Sequence, residues 1–448
     1  MLAICAPLIA WVAFRTGKYR SGYREKLFGF VPRRKGSEIC VWVHAVSVGE
    51  VNLMATLVAL LRERHPDWHI VLSSTSRTGF ELARKKYSDL AVFYCPLDFS
   101  WAVRAAMHRV RPTLLVLAEL ELWPNLIAVA KGQGVRVAIV NGRLSDKSYP
   151  RYRRIRLFVA RVLRQIDLIA VQNDETAGRF RALGAPGNRV QTTGSLKYDG
   201  AQTDRSNPRT AMLRQLAGFA DTDLVFLAGS TQEPEEHLAL DVYRNLVDLH
   251  PRLRLVLVPR HPERFNEVAK MLDESGVAWA RRSELRAATH WEPSPDPLLQ
   301  ERGTRNSCES ATRRNAPVLL VDTVGELGAW WGTASIAFVG GSFGKRGGQN
   351  MIEPAAYGAA VSFGPNTRNF RDIVKMLLDA DAAVVVDDAS ELNAFVAHCL
   401  EDPRYTAALG CKAQALVQSQ LGATQRTVAL LEALLKTTAK CSAKRPAA

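Results

Sequence analysis

Five short stretches of this 448-residue chain carry side chains able to do chemistry. The first is His44-Ala-Val-Ser-Val-Gly-Glu50, which follows an apolar run and opens a helical pattern. A carboxylate in a first helical turn is either a general base or a charge that the helix N-terminus favours. The second is Ala118-Glu-Leu-Glu-Leu-Trp-Pro-Asn125. In extended chain Glu119 and Glu121 face the same side, which is costly unless they are exposed or paired; a capped loop before a helix started by Pro124 is the plainer alternative. The third, Gly194-Ser-Leu-Lys-Tyr-Asp199, offers Lys197 as a solvated surface charge or as a cation facing an anion. The fourth, Val258-Pro-Arg-His-Pro-Glu-Arg264, puts Arg260 at a strand end beside a helix start, which suits a phosphate or a surface ion pair. The fifth, Gly340-Gly-Ser-Phe-Gly-Lys-Arg-Gly-Gly-Gln-Asn-Met-Ile-Glu-Pro354, is a glycine loop whose exposed backbone N–H groups can cradle an anion. Glu353 at its end can accept hydrogen bonds from ribose hydroxyls. The loop has neither GK[ST] nor an early GxGxxG, so a Walker A site and a dinucleotide site lack support.

The elements that must position these residues alternate. Apolar runs at 39–43, 69–73, 91–94, 113–117, 135–140 and 168–171 read as strands, with helix-length segments between them. Such alternation predicts an α/β fold, a parallel sheet with helices on both faces. A polar stretch at 194–208 reads as an interdomain connection. The pattern then restarts with strands at 224–228, 253–258, 318–321, 336–339, 360–363 and 383–386. The reading is two Rossmann-like domains with a cleft between them, 36–200 and 201–430, the second with a polar insertion at about 281–316. Residues 1–35 precede them as a hydrophobic and basic segment, and 431–448 read as a C-terminal tail.

Composition bounds the rest. With 47% hydrophobic and 23% charged residues the chain is globular. Seven scattered cysteines without a CxxC pair, and no HExxH, argue against a disulfide framework and a metal site. The 59 Lys+Arg against 44 Asp+Glu, a net charge of +15, favour anionic partners. Residues 1–14 (MLAICAPLIAWVAF) are uncharged, and a basic flank of Arg15, Lys18, Arg20, Arg24, Lys26, Arg33, Arg34 and Lys35 follows. A secretory signal has the opposite order, and 14 residues are short of a span, so the expectation is membrane contact from the cytoplasmic side, as a tilted or interfacial anchor or a span with a clipped start; an amphipathic helix packed on the domain is the plainer alternative.

In this order, WVHAVSVGEV, YCPLD, ELELWPNLI, NGRLSDKSY, TGSLKYD, GSTQEPEEH, PRHPER, DTVGELG and GGQNMIEPAAYG resemble the 3-deoxy-D-manno-octulosonic acid (Kdo) transferases of lipopolysaccharide assembly. The resemblance implies a GT-B glycosyltransferase that needs no metal or other cofactor, with CMP-Kdo as donor and a lipid A precursor as acceptor at the inner membrane. It implies Glu50 as catalytic base toward the acceptor's 6'-hydroxyl, with Glu119 and Lys197 stabilising the transition state. It further implies nucleotide binding by Pro259 and Arg260, by Val324, Gly325 and Glu326, and by Asn350, Met351, Ile352 and Glu353. Arg143, Lys147, Arg151, Arg153, Arg154 and Arg156 are candidates for lipid phosphates or headgroups, or simply a solvated face. The chain departs from the family pattern at Leu120, Gln232, Pro234 and Gln349. Two other functions stay in view: a GT-B transferase using a UDP-sugar, and a basic nucleic-acid-binding protein, although no nucleic-acid module is visible.

Overall fold

A computed structural model of the protein describes residues 21–285 and 316–442. The apolar run at 1–14, most of the polar insertion and the last six residues lie outside the described residues. The chain forms two units, one from residues up to Gly200 together with those from Gln420, the other from Ala201–Ser419.

The first unit holds β1 (Cys40–His44), β2 (His69–Ser74), β3 (Ala91–Tyr94), β4 (Leu114–Ala118), β5 (Arg136–Gly142), β6 (Leu168–Val171) and β7 (Val190–Thr192). They form one sheet in the order β3-β2-β1-β4-β5-β6-β7, and every pairing is parallel. The pleat explains why the sheet is buried on both sides. Cys40 and Trp42 face one apolar cluster with Phe93, Leu115 and Phe180, while Val41 and Val43 face another with Leu57, Leu72 and Val140.

The second unit holds β8 (Leu224–Thr231), β9 (Leu253–Pro259), β10 (Trp279–Arg281), β11 (Val318–Leu320), β12 (Ile336–Val339), β13 (Ala360–Phe363) and β14 (Val384–Val385). Its order is β10-β11-β9-β8-β12-β13-β14, again all parallel. In each sheet the strand order reverses once, between β1 and β4 and between β8 and β12. Ligands of open parallel sheets bind at such reversals, beyond the C-terminal strand ends.

Two boundaries differ from the sequence expectation. Residues 431–448 are not a loose tail up to the last described position. The helix Ala423–Ser442 buries Ala423, Val428, Leu431 and Leu435 against the first sheet's helices. Its start is held by Asp199, whose carboxylate accepts from the backbone N–H of Gly422 at 2.7 Å and from that of Thr424. The stretch 194–208 does contain the passage from one unit to the other, at 200–201, although Ser195, Leu196 and Tyr198 in it are buried. The insertion begins later than residue 281, because Arg281 closes β10 and Leu285 is buried; a three-residue edge strand is too short to show periodicity.

Part of the basic flank is also internal rather than turned toward lipid. Arg34 is buried and donates to the carbonyls of Val110 at 2.9 Å and Arg111 at 3.1 Å, the end of the helix Ser100–Val110, where a cation is favoured. Lys26 is buried with its ammonium 4.0 Å from the Tyr94 ring centroid. Among the described residues, no helix is long and apolar enough to cross a membrane.

Candidate active site

In the first unit the loops leaving β1 and β4 meet at the strand reversal. Ser47 caps the helix Val48–Arg64, and Glu50 sits in its first turn. The Glu50 carboxylate is fixed at both oxygens: Oε2 accepts from Val46 N–H at 2.8 Å, and Oε1 from the Ser47 hydroxyl at 2.8 Å. These bonds favour its charged form. Burial nevertheless pushes its pKa above the ordinary glutamate range, and the nearby Glu119 charge adds to that push.

Glu119 follows β4 at φ 54, a left-handed conformation rare outside glycine, and its N–H donates to Val140 O at 2.9 Å. Backbone strain of this kind costs about 1–3 kcal/mol and aims the following residues away from the strand. Glu121 is half-buried. Its Oε2 accepts from the Trp123 indole N–H at 2.9 Å. Burial raises its pKa, and the charges of Glu50 and Glu119 raise it further. The structure thus brings Glu50, Glu119 and Glu121 together, and among the described residues none has an ion-pair partner.

Beneath them lies His44, fully buried at the end of β1. Its Nδ1 is 2.9 Å from Ser73 Oγ, which also accepts from the Trp42 indole at 2.7 Å, and its ring stands edge-on to Trp123 at 5.8 Å. Its Nε2 has no hydrogen-bond partner among the described residues. Burial pushes its pKa down to about 4, so the imidazole is neutral at pH 7. Lys197 lies past β7, an exposed side chain on a loop tied down by Leu196 N–H, which donates to Asn141 Oδ1 at 3.0 Å.

The nucleotide candidates all belong to the second unit, on loops leaving the C-terminal ends of β9, β11 and β12. Pro259 ends β9 and Arg260 follows it, exposed. Glu353 accepts from the Asn350 amide at 3.0 Å, and Asn350 Oδ1 in turn accepts from Ile352 N–H at 3.1 Å. Burial raises the Glu353 pKa, opposed by the Asn350 hydrogen bond and the Arg260 charge, so these three groups share one neighbourhood. Met351 and Ile352 are buried in the core and can offer a ligand only backbone.

The Glu326 carboxylate is engaged within the chain. Arg282 grips its carboxylate through Nε at 2.9 Å and Nη2 at 2.8 Å, and the Thr323 hydroxyl adds a bond at 2.7 Å. With its oxygens so engaged, Glu326 braces the loop. Beside it, Val324 is 79% exposed and Gly325 turns at φ 89.

The glycine loop differs from the sequence expectation. The N–H groups of Gly341, Ser342 and Phe343 are not open to an outside anion, because the buried carboxylate of Glu235 accepts all three. Sequence reasoning left Glu121, His44 and Glu235 without a role. The sign of Glu235 is a pair of adjacent glutamates, Glu235 and Glu236, in the first turn after an apolar strand, where solvated carboxylates would be ordinary.

The other basic candidates lie elsewhere on the first unit. Lys147, Arg151, Arg153, Arg154 and Arg156 are exposed, interleaved with Ile155, Leu157 at 90% exposure and Phe158. Among the described residues no three His, Cys, Asp or Glu side chains are grouped to hold a metal ion.

Residues 21–200 match the family described as 3-deoxy-D-manno-octulosonic-acid transferase (kdotransferase). The chain is 32% identical to the 3-deoxy-D-manno-octulosonic acid transferase of Haemophilus influenzae, over 97% of each chain. It is 34% identical to the enzyme of that name from Bordetella pertussis, over 95% of this chain and 96% of that one. Among solved structures, the UDP-GlcNAc 2-epimerase of Neisseria meningitidis superposes with a TM-score of 0.54 at 13% identity, covering 89% of this chain and all (100%) of that one. That likeness concerns the fold, which is GT-B-like.

Proposed function

Since the chain belongs to the Kdo transferases of lipopolysaccharide biosynthesis, we propose that it moves Kdo from CMP-Kdo to the 6'-hydroxyl of a lipid A precursor, by direct displacement with inversion and without a metal. The observation that carries this is Glu50, held at the β1–β4 reversal by Val46 and Ser47 with no cation among the described residues to neutralise it.

Glu50 takes the acceptor's hydroxyl proton. The oxygen bonds to the anomeric carbon of Kdo, the bond from that carbon to the CMP phosphate breaks, and CMP leaves with the electron pair. A carboxylate whose pKa is raised toward neutrality is a better proton acceptor than an ordinary glutamate, provided that the pH keeps it ionised. Glu119 and Lys197 are the groups assigned to stabilising the charge that develops. On the donor side, Arg260 meets the phosphate and Glu353 the ribose, while the backbone of 324–325 borders the nucleotide. The exposed arginines between 151 and 156, with Ile155, Leu157 and Phe158, suit lipid phosphates and acyl chains at the cytoplasmic face of the inner membrane.

The test is transfer from CMP-Kdo, generated in the assay, to a tetraacylated lipid A precursor in the presence of EDTA, read by mass. One or more added Kdo units, lost in Glu50→Gln, is the expected result. No product from folded, CMP-binding protein would exclude this acceptor. Competition by UDP rather than CMP would favour the UDP-sugar reading.

A further inference from the structure

The second sheet reverses between β8 and β12. At such reversals anionic ligands bind to backbone N–H groups of the loops leaving the two strands. In this protein those groups are already taken by Glu235, which is 1% exposed. Its Oε2 accepts from Gln232 N–H at 2.8 Å, in the loop after β8, and from Gly341 N–H at 2.7 Å, in the loop after β12. Its Oε1 accepts from Ser342 N–H at 2.9 Å and Phe343 N–H at 3.1 Å. Three consecutive N–H groups converging on one anion form a nest, here turned by Gly341 at φ 65.

The seat is built for this carboxylate. A Cβ at Gly340 would stand 2.7 Å from Glu235 Oε2 and 2.6 Å from the Thr231 Cα, so only glycine fits. The loop is pinned from behind, where Ser342 Oγ donates to Val339 O at 2.7 Å and accepts from Gly364 N–H at 2.8 Å. A second anion entering here would find no free donor among these four and would face a buried negative charge.

We propose that Glu235 is a specificity-determining residue, its carboxylate filling the anion seat of the glycine loop and thereby shutting out the diphosphate of a nucleoside diphosphate donor. The seat is left with no place for a second phosphate, so the donor must carry one. This rests on the donor reading above only for the identity of the nucleotide.

The test is calorimetric titration of the full chain with inorganic pyrophosphate, UDP and CMP. In the unaltered protein CMP binds, and pyrophosphate at millimolar concentration gives no heat. Glu235→Ala empties the seat. Its affinity for pyrophosphate and UDP should rise by about tenfold or more, ~1.4 kcal/mol, and added acetate should compete that gain away. Pyrophosphate binding to the unaltered protein, or a folded Glu235→Ala that gains none, would overturn the proposal. If Glu235→Ala does not fold, the titration of the unaltered protein decides alone. A protein that refuses pyrophosphate and CMP alike, while the variant gains pyrophosphate, would remove CMP as the donor nucleotide and leave the role of Glu235 standing.

Discussion

Ser47 and Glu50 hold each other: the Ser47 hydroxyl donates to Glu50 Oε1 at 2.8 Å, and the Glu50 N–H donates back to Ser47 Oγ at 3.4 Å. The pair caps the helix and aims the base at once. Glu50→Gln should keep this shape and lose turnover by ~100-fold or more, with CMP affinity and the unfolding midpoint unchanged. Ser47→Ala should cost ~1 kcal/mol of stability and, by removing a bond to the ionised carboxylate, move the acid limb of the rate profile to higher pH. Steady-state rates across pH check both.

The same limb responds to Glu119. Burial, helped by the Glu119 charge, raises the Glu50 pKa, so activity should fall as pH drops through a value above that of a free glutamate. Glu119→Gln removes the neighbouring charge. The limb should then move to lower pH, whatever the loss in maximal rate. A limb that stays put would mean that Glu119 does not act on Glu50.

His44 gives a stability signature of the opposite kind. An imidazole held neutral, its pKa pushed down to about 4, binds its proton less readily folded than unfolded. Stability is fully present above about pH 6.5 and is lost as pH falls toward 4, by up to ~3 kcal/mol. His44→Asn should be less stable than the unaltered protein at pH 7 and should lose less between those limits. Thermal midpoints at pH 7 and 4.5 are the measurement.

Arg282, just after β10, makes two hydrogen bonds to Glu326 on the loop before the helix Leu327–Trp330. Burial alone would raise the Glu326 pKa, but the Thr323 and Arg282 hydrogen bonds bring it below the usual range. The stability that this gives is present above the unfolded glutamate pKa and lost as pH falls through the lower folded value. A double-mutant cycle of Arg282→Ala and Glu326→Ala should show a coupling of ~1–3 kcal/mol. CMP affinity should fall equally in each single variant, because both loosen the backbone of 324–325.

The exposed apolar group is testable apart from catalysis. Leu157→Ser with Phe158→Ser should weaken binding to vesicles of anionic lipid by ~tenfold or more, through lost apolar burial of roughly 1.5–3 kcal/mol per side chain. Turnover of a short-chain, soluble acceptor should be unaffected.

Both sheets were legible in the sequence, because strands buried on two faces, such as Leu114–Ala118 and Ile336–Val339, are unbroken apolar runs. The edge strands Val190–Thr192 and Trp279–Arg281 were not, being three residues long with partly exposed, polar positions. Glu50 and Glu119 were legible as carboxylates at strand ends. The engagement of Glu326 by Arg282 was not, because the partners lie 44 positions apart with the insertion between them. Nor was the filling of the glycine loop by Glu235, 106 positions away from Gly341. Spacing announces neighbours within a turn, whereas crossover topology decides which distant loops share an edge.

The helix Ala423–Ser442 completes the first sheet's packing although the whole of Ala201–Ser419 precedes it. During vectorial synthesis the ribosome therefore delivers every strand of the first unit long before the helix that packs on β5 and β6. The second unit, one uninterrupted run of chain, can close on itself in the meantime. The nascent first unit must wait with Val140 on β5 and its neighbours on that face uncovered, which marks it as the part to which a ribosome-bound chaperone would hold longest.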